Sequence, residues 1–249
     1  MNGLEGRVVI VTRPEGQAAE LAERLRARGA EVIEAPAIRI ERVPPGGRLD
    51  EAIREAARGR YAWVLFTSAA GVEAWFGRAD ELSVGDPEAM VAAVGAGTAE
   101  ALTARGRRPD LVPPTYTTRA LGEAFPDGTG EVLLARADLA TAELEDTLRD
   151  KGWAPVRVEA YRTELADDLP APATAALEEG RVDAVTFTSA STVRGFVRAV
   201  GGAPDGVVAV CIGPVTAAAA RQAGLTVASE ADPHTVDGVA DAVARVLGP

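Results

Sequence analysis

Val8-Val9-Ile10-Val11-Thr12-Arg13 is the stretch from which the architecture is read, because the chain writes it twice: Val132-Leu133-Leu134-Ala135-Arg136 repeats it with the arginine 123 residues further on. Each copy leads into a segment whose apolar residues recur at three- and four-residue spacing, the period of a helix with one buried face. In the first copy these are Ala18, Leu21, Ala22 and Leu25, and in the second Leu139, Leu144 and Leu148. The helical segments end alike, in Leu25-Arg26-Ala27-Arg28-Gly29 and Leu148-Arg149-Asp150-Lys151-Gly152, again 123 residues apart at the glycine.

Outward from there the repetition continues. Val64-Leu65-Phe66-Thr67-Ser68-Ala69 recurs as Ala184-Val185-Thr186-Phe187-Thr188-Ser189-Ala190, with 121 residues between the serines. Val94-Gly95-Ala96-Gly97-Thr98-Ala99 recurs as Ile212-Gly213-Pro214-Val215-Thr216-Ala217, with 118 residues between the threonines. Tyr116-Thr117-Thr118, before a short helix, recurs as His234-Thr235-Val236 before the last one. The slow drift of the offset is what small loop deletions between two descendants of one ancestral unit produce. Each block is a short β-branched run that ends in Thr, Ser or Gly and opens an amphipathic helix, which is the βα signature of a parallel sheet. Strands near 8–11, 64–66, 91–94, 132–135, 184–187 and 207–212 read as continuous apolar runs, as strands covered on both faces do. Two further segments, Pro36 to Val43 and Val158 to Leu165, are extended and alternating in character. The residues leave two readings open for them, a domain's edge strand or a pair of crossovers between domains.

A chain of 249 residues suits two domains, and its 47% hydrophobic and 25% charged content is that of a globular α/β protein. No apolar run approaches the roughly 18 residues of a membrane span. Met1 to Arg7 shows no basic segment followed by an apolar one, so a cytoplasmic location is expected. A single cysteine and a single histidine rule out disulfides and Cys/His metal clusters by count, and Cys211 reads as a buried strand residue without chemistry. The net charge of −11 argues against a nucleic-acid partner. No apolar stripe is left over on either copy, so a monomer is expected.

In an open parallel sheet, ligands bind beyond the carboxyl ends of the strands, where helix N-termini present free N–H groups. Those positions hold Thr12, Arg13, Thr67, Ser68, Gly95 to Thr98 with Gly97 among them, Arg136, Thr188, Ser189 and Gly213 to Thr216. Helix capping is the structural alternative for each hydroxyl there. Gly95-Ala96-Gly97 lacks the third glycine of a dinucleotide fingerprint, and the lone Lys151, at a helix end before Gly152, reads as a cap and not as part of a phosphate loop. Ser68 lacks the flanking glycines of a nucleophile elbow, and Asp167-Asp168 falls in a Pro-rich loop. What remains is a set of N–H groups, hydroxyls and arginines fit to hold a carboxylate-rich molecule.

Thr12-Arg13-Pro14, Phe66 to Ala69 followed by Val72-Glu73-Ala74, and Val94 to Ala99 resemble the bacterial uroporphyrinogen-III synthases. So do Leu144 to Gly152 leading through Val156 to Tyr161-Arg162-Thr163, Val185 to Ser189, and Ile212 to Thr216. The resemblance covers essentially the whole chain in order, with departures at Ala137, where many relatives carry glycine, and at Val215. It implies two similar flavodoxin-like parallel-sheet domains, 1–36 with 165–249 and 43–158, joined by connector strands 37–42 and 159–164. It implies as substrate hydroxymethylbilane, bound between the domains, and as product uroporphyrinogen III, formed by ring closure with inversion of the last pyrrole and loss of water, without a cofactor or metal. Tyr161 matches the family's tyrosine that assists departure of the hydroxyl. Ser68, Thr98, Ser189 and Thr216 match positions where hydroxyls and adjacent N–H groups bind carboxylates.

Overall fold

The computed structural model describes residues 3–137 and 142–248. Leu139 of the helical pattern lies outside the described residues. In chain order the elements are β1 (Val8–Val11), α1 (Ala19–Arg26), β2 (Glu31–Glu34), β3 (Ile38–Arg42), α2 (Arg48–Ala56), β4 (Trp63–Phe66), α3 (Ala69–Leu82), β5 (Met90–Ala93), α4 (Ala96–Ala104) and α5 (Thr118–Ala124). They continue as β6 (Glu131–Ala137), α6 (Glu143–Asp150), β7 (Ala154–Leu165), α7 (Ala171–Glu178), β8 (Ala184–Phe187), α8 (Ala190–Val200), β9 (Val208–Cys211), α9 (Pro214–Gln222), β10 (Thr226–Glu230) and α10 (Val236–Leu247). None of these helices is long and apolar enough to cross a membrane.

The chain forms two compact units, residues 1–39 with 164–249, and residues 40–163. The first unit's sheet has the order β10-β9-β8-β1-β2, with every pairing parallel. This is the 2-1-3-4-5 order of flavodoxin-like sheets. The second sheet has the order β3-β7-β6-β4-β5, parallel through β7, β6, β4 and β5. A parallel bridge from Ala92 to Leu111 stands where the first unit has β10. Matching the repeats, β6, β7, β4 and β5 correspond to β1, β2, β8 and β9. Each unit therefore takes its first two matched strands from one sequence copy and the others from the second copy. The repeat in the sequence and the unit in space are offset by half a repeat. β3 lies at the edge of the second sheet beside β7, whose 12 residues pair with both β6 and β3.

Alternation along the strands explains the layering. In β1, Val8 and Ile10 face a core with Phe187 and Phe196, while Val9 and Val11 face another with Leu21, Leu25, Val239 and Val243. In β4, Val64 and Phe66 pack with Trp75 and Phe76, while Trp63 and Leu65 pack with Phe125, Leu144 and Leu148. Cys211 is fully buried in β9. The glycines that close α1 and α6, Gly29 and Gly152, sit at φ of 96° and 89°, where a side chain is strained. Lys151 is the C-cap of α6, through its backbone N–H, and its ammonium reaches a second helix. It donates to the carbonyls of Glu123 and Phe125 at 3.0 and 2.5 Å, closing the end of α5.

Candidate functional site

The carboxyl ends of the parallel strands form one rim on each unit, and the two rims use the same parts differently. On the second unit, Thr67 and Ser68 follow β4. Ser68 is the N-cap of α3 and its Oγ accepts the Gly71 N–H at 3.0 Å. The same Oγ lies 2.8 Å from the hydroxyl of Tyr161, carried on β7. Either hydroxyl can donate its own proton to the other. Tyr161 is only 7% exposed and its ring belongs to the unit's core, which fixes the phenol in position. Gly71 makes room for the pair: a Cβ there would lie 3.2 Å from the Ala135 carbonyl and 3.3 Å from Ser68 Oγ.

The next loop on this rim, Gly95 to Thr98, opens α4. Gly95 is its N-cap without a side-chain cap, so N–H groups of the first turn point free at the N-terminus. Gly97 is exposed, Thr98 is buried, and the ring of Tyr116 lies over Gly95, where a Cβ would come within 2.8 Å of the ring. Arg136, at the end of β6, is buried and its guanidinium is 2.7 Å from Glu145 in the first turn of α6. Arg157 stands 4.0 Å from the same carboxylate and donates to the Ala137 carbonyl at 3.0 Å.

On the first unit, the Thr12 hydroxyl is buried and donates to the Thr186 carbonyl at 2.7 Å, and the Thr186 hydroxyl donates to the Ile10 carbonyl at 3.2 Å. Both hydroxyls lace β1 to β8. Arg13 is half-buried, and its Nε is shut away from solvent without a hydrogen-bond partner. Burial lowers its pKa, and the Glu20 carboxylate opposes that shift. Thr188 is half-buried. Ser189 caps α8 in a reciprocal capping box with Thr192, accepting its N–H at 3.2 Å, and its Oγ is 2.9 Å from Ser191 Oγ. Gly213 is the N-cap of α9, Thr216 is buried in its first turn, and the imidazole of His234 lies where a Cβ on Gly213 would meet it at 3.3 Å.

Sequence reasoning thus placed eleven of the twelve residues at or just beyond strand ends, and the resemblance alone singled out Tyr161, which lies within β7; neither told what each side chain does there. Ser68 and Ser189 are helix caps, as the structural alternative held, and Ser68 is also Tyr161's partner. The side chains of Thr12 and Arg136 bond within their own units. Two residues carried in the repeat but not proposed for the rim, Tyr116 and His234, occupy equivalent places over Gly95 and Gly213, 118 residues apart. Their shared position before the last helix of each copy was the available signal. Among the described residues no group of three or more His, Cys, Asp or Glu side chains is placed to hold a metal ion.

A family model described as "Uroporphyrinogen-III synthase HemD" matches residues 19–241. The uroporphyrinogen-III synthase of Synechococcus elongatus is 33% identical over 95% of this chain and 94% of its own. The porphyrin biosynthesis protein HemD of Ruminiclostridium josui is 32% identical over 98% of this chain, which spans 49% of that protein. A crystal structure of a mutant uroporphyrinogen III synthase from Thermus thermophilus superposes with a TM-score of 0.68 at 24% identity, covering 97% of this chain and 98% of that one, and so shares the fold. With the family model matching from α1 to α10, and a relative of that name alike over nearly its full length, this chain belongs to the uroporphyrinogen-III synthase family.

Proposed function

We propose that this chain closes hydroxymethylbilane, a linear tetrapyrrole, to uroporphyrinogen III, inverting the last pyrrole and releasing water, with no cofactor. The observation that carries the reading beyond family membership is the hydroxyl pair of Tyr161 and Ser68, 2.8 Å apart at the end of the second sheet. Departure of the substrate's hydroxyl needs a proton, and it leaves a cationic azafulvene that closes on its own without inversion. A catalyst must supply the proton and hold one conformation. Tyr161 is the donor in this reading. Ser68, anchored by the Gly71 N–H, fixes the direction of the phenol.

The remaining rim groups bind. The hydroxyls of Thr67, Thr98, Thr188, Ser189 and Thr216, with the N–H groups about Gly97 and Gly213, receive carboxylates of the substrate, and Arg13 adds a charge. Thr12 and Arg136 serve through their backbone groups, because their side chains are already bonded within the sheets. Residues 37–42 and 159–164 act as connector strands between domains 1–36 with 165–249 and 43–158, and the enzyme works as a cytoplasmic monomer. Tyr161→Phe tests the assignment: it is expected to lower kcat on hydroxymethylbilane about a hundredfold while the protein stays folded. An unchanged kcat removes Tyr161 from the chemistry.

A further inference from the structure

Arg13 and Arg136 are the same residue of the repeat, one just past the end of β1 and the other near the end of β6, yet they are placed in opposite electrostatic situations. Arg136 is buried against Glu145, and the pair is 2.7 Å apart with both side chains about 95% covered. In the same register, 123 residues apart, the position of Glu145 is taken by Ala22, which is fully buried in the core. The counter-ion has been replaced by a methyl-bearing side chain while the cation has been kept. The acid whose charge acts on Arg13 is Glu20, and Glu20 is itself paired with Arg24 at 2.9 Å. No ion pair or hydrogen bond of the Arg13 guanidinium is seen among the described residues, and its Nε is closed to water.

A partly desolvated guanidinium without a counter-ion is destabilising for the free protein, since burial of charge is favourable only when paired. We infer that Arg13 is the charged anchor for one carboxylate of the substrate, and that the second copy's equivalent arginine has been retired from binding by Glu145. The inference rests on the proposed function for the identity of that carboxylate's owner. It divides the labour between the rims: the first unit carries a live cation and the second a neutralised one.

The test uses the whole chain and three variants, Arg13→Met, Arg13→Gln and Arg136→Met. Removing an unpaired, half-buried charge is expected to leave Tm unchanged or raise it. Removing Arg136 takes from the buried Glu145 its 2.7 Å partner, leaving it only Arg157 at 4.0 Å, and is expected to lower Tm by several degrees. Inorganic sulfate, compared with sodium chloride at equal ionic strength, is expected to raise Tm of the unmodified chain more than that of either Arg13 variant. With hydroxymethylbilane, both Arg13 variants are expected to raise KM about tenfold or more with a smaller change in kcat, as loss of a charge-assisted hydrogen bond does. A fall of several degrees in both Arg13 variants, an equal sulfate shift in all proteins, or a KM within twofold of the unmodified chain overturns the inference. If the unmodified chain gives no turnover, the proposed function fails, and the melting and sulfate arms still decide whether Arg13 is an anion site.

Discussion

Ser68 and Ser189 are the same residue of the repeat, and the structure gives them unequal loads. Both cap a helix, accepting an N–H at 3.0 Å from Gly71 and at 3.2 Å from Thr192 respectively. Only Ser68 adds a hydroxyl contact to a buried tyrosine, at 2.8 Å. Loss of a serine cap costs about 1 kcal/mol, and loss of a buried hydrogen bond between neutral groups about 1 kcal/mol more. Ser189→Ala is therefore expected to destabilise the protein by about 1 kcal/mol and Ser68→Ala by about 2 kcal/mol. Tyr161→Phe is expected to remove about 1 kcal/mol. The double variant, Ser68→Ala with Tyr161→Phe, is expected to lose about 2 rather than 3 kcal/mol, because the shared bond is broken only once. Urea unfolding of the four variants and the parent closes the cycle. A Ser68/Tyr161 pair additive to within about 0.3 kcal/mol would refute the claim that the two hydroxyls are coupled in solution.

Further expectations follow from other parts of the chain. Gly195→Ala puts a Cβ 1.9 Å from the Ala37 carbonyl, which is held in place by the Ala166 N–H at 2.9 Å, so urea unfolding is expected to show a loss of about 3 kcal/mol. Burial pushes the Cys211 thiol up to about 12, so iodoacetamide at about pH 8 is expected to leave the native protein unmodified and to add one group after unfolding in urea. The hydrogen bonds from Tyr61 and then Arg60 hold the Glu55 carboxyl below its ordinary 4.5, and Arg60 does the same to Glu131. A carboxyl lowered in the folded state contributes stability that is complete above 4.5 and lost as pH falls through the folded value. Between about pH 5 and about pH 3, Tm of the parent is expected to fall more steeply than that of Arg60→Gln; equal slopes would contradict the network.

The strands buried on both faces were legible because a doubly covered strand must be apolar throughout, as Val8 to Val11 and Ala184 to Phe187 are. Glu31–Glu34 and Thr226–Glu230 escaped notice because edge strands carry charge and hydroxyls and so lose the apolar run. The pairing of strands across the repeat was not legible either. Local periodicity dictates local structure, whereas β1 joins β8 across most of the chain, Val9 beside Ala184. At the site, the rim positions followed from the strand ends alone, but the partners did not. Arg136 was read as a binding group although Glu145, nine residues on, gives it a buried counter-ion. An acidic residue in the first turn of the helix that follows, against an alanine at the matching place in the other copy, is the signal that separates the two arginines.

The central claim is that the chain directs ring closure to the inverted isomer. Freshly generated hydroxymethylbilane is supplied to the purified protein, the products are oxidised, and the type I and type III isomers are resolved by chromatography. Formation of the type III isomer in proportion to protein is the predicted result. Type I alone, at the rate seen without protein, would contradict the account.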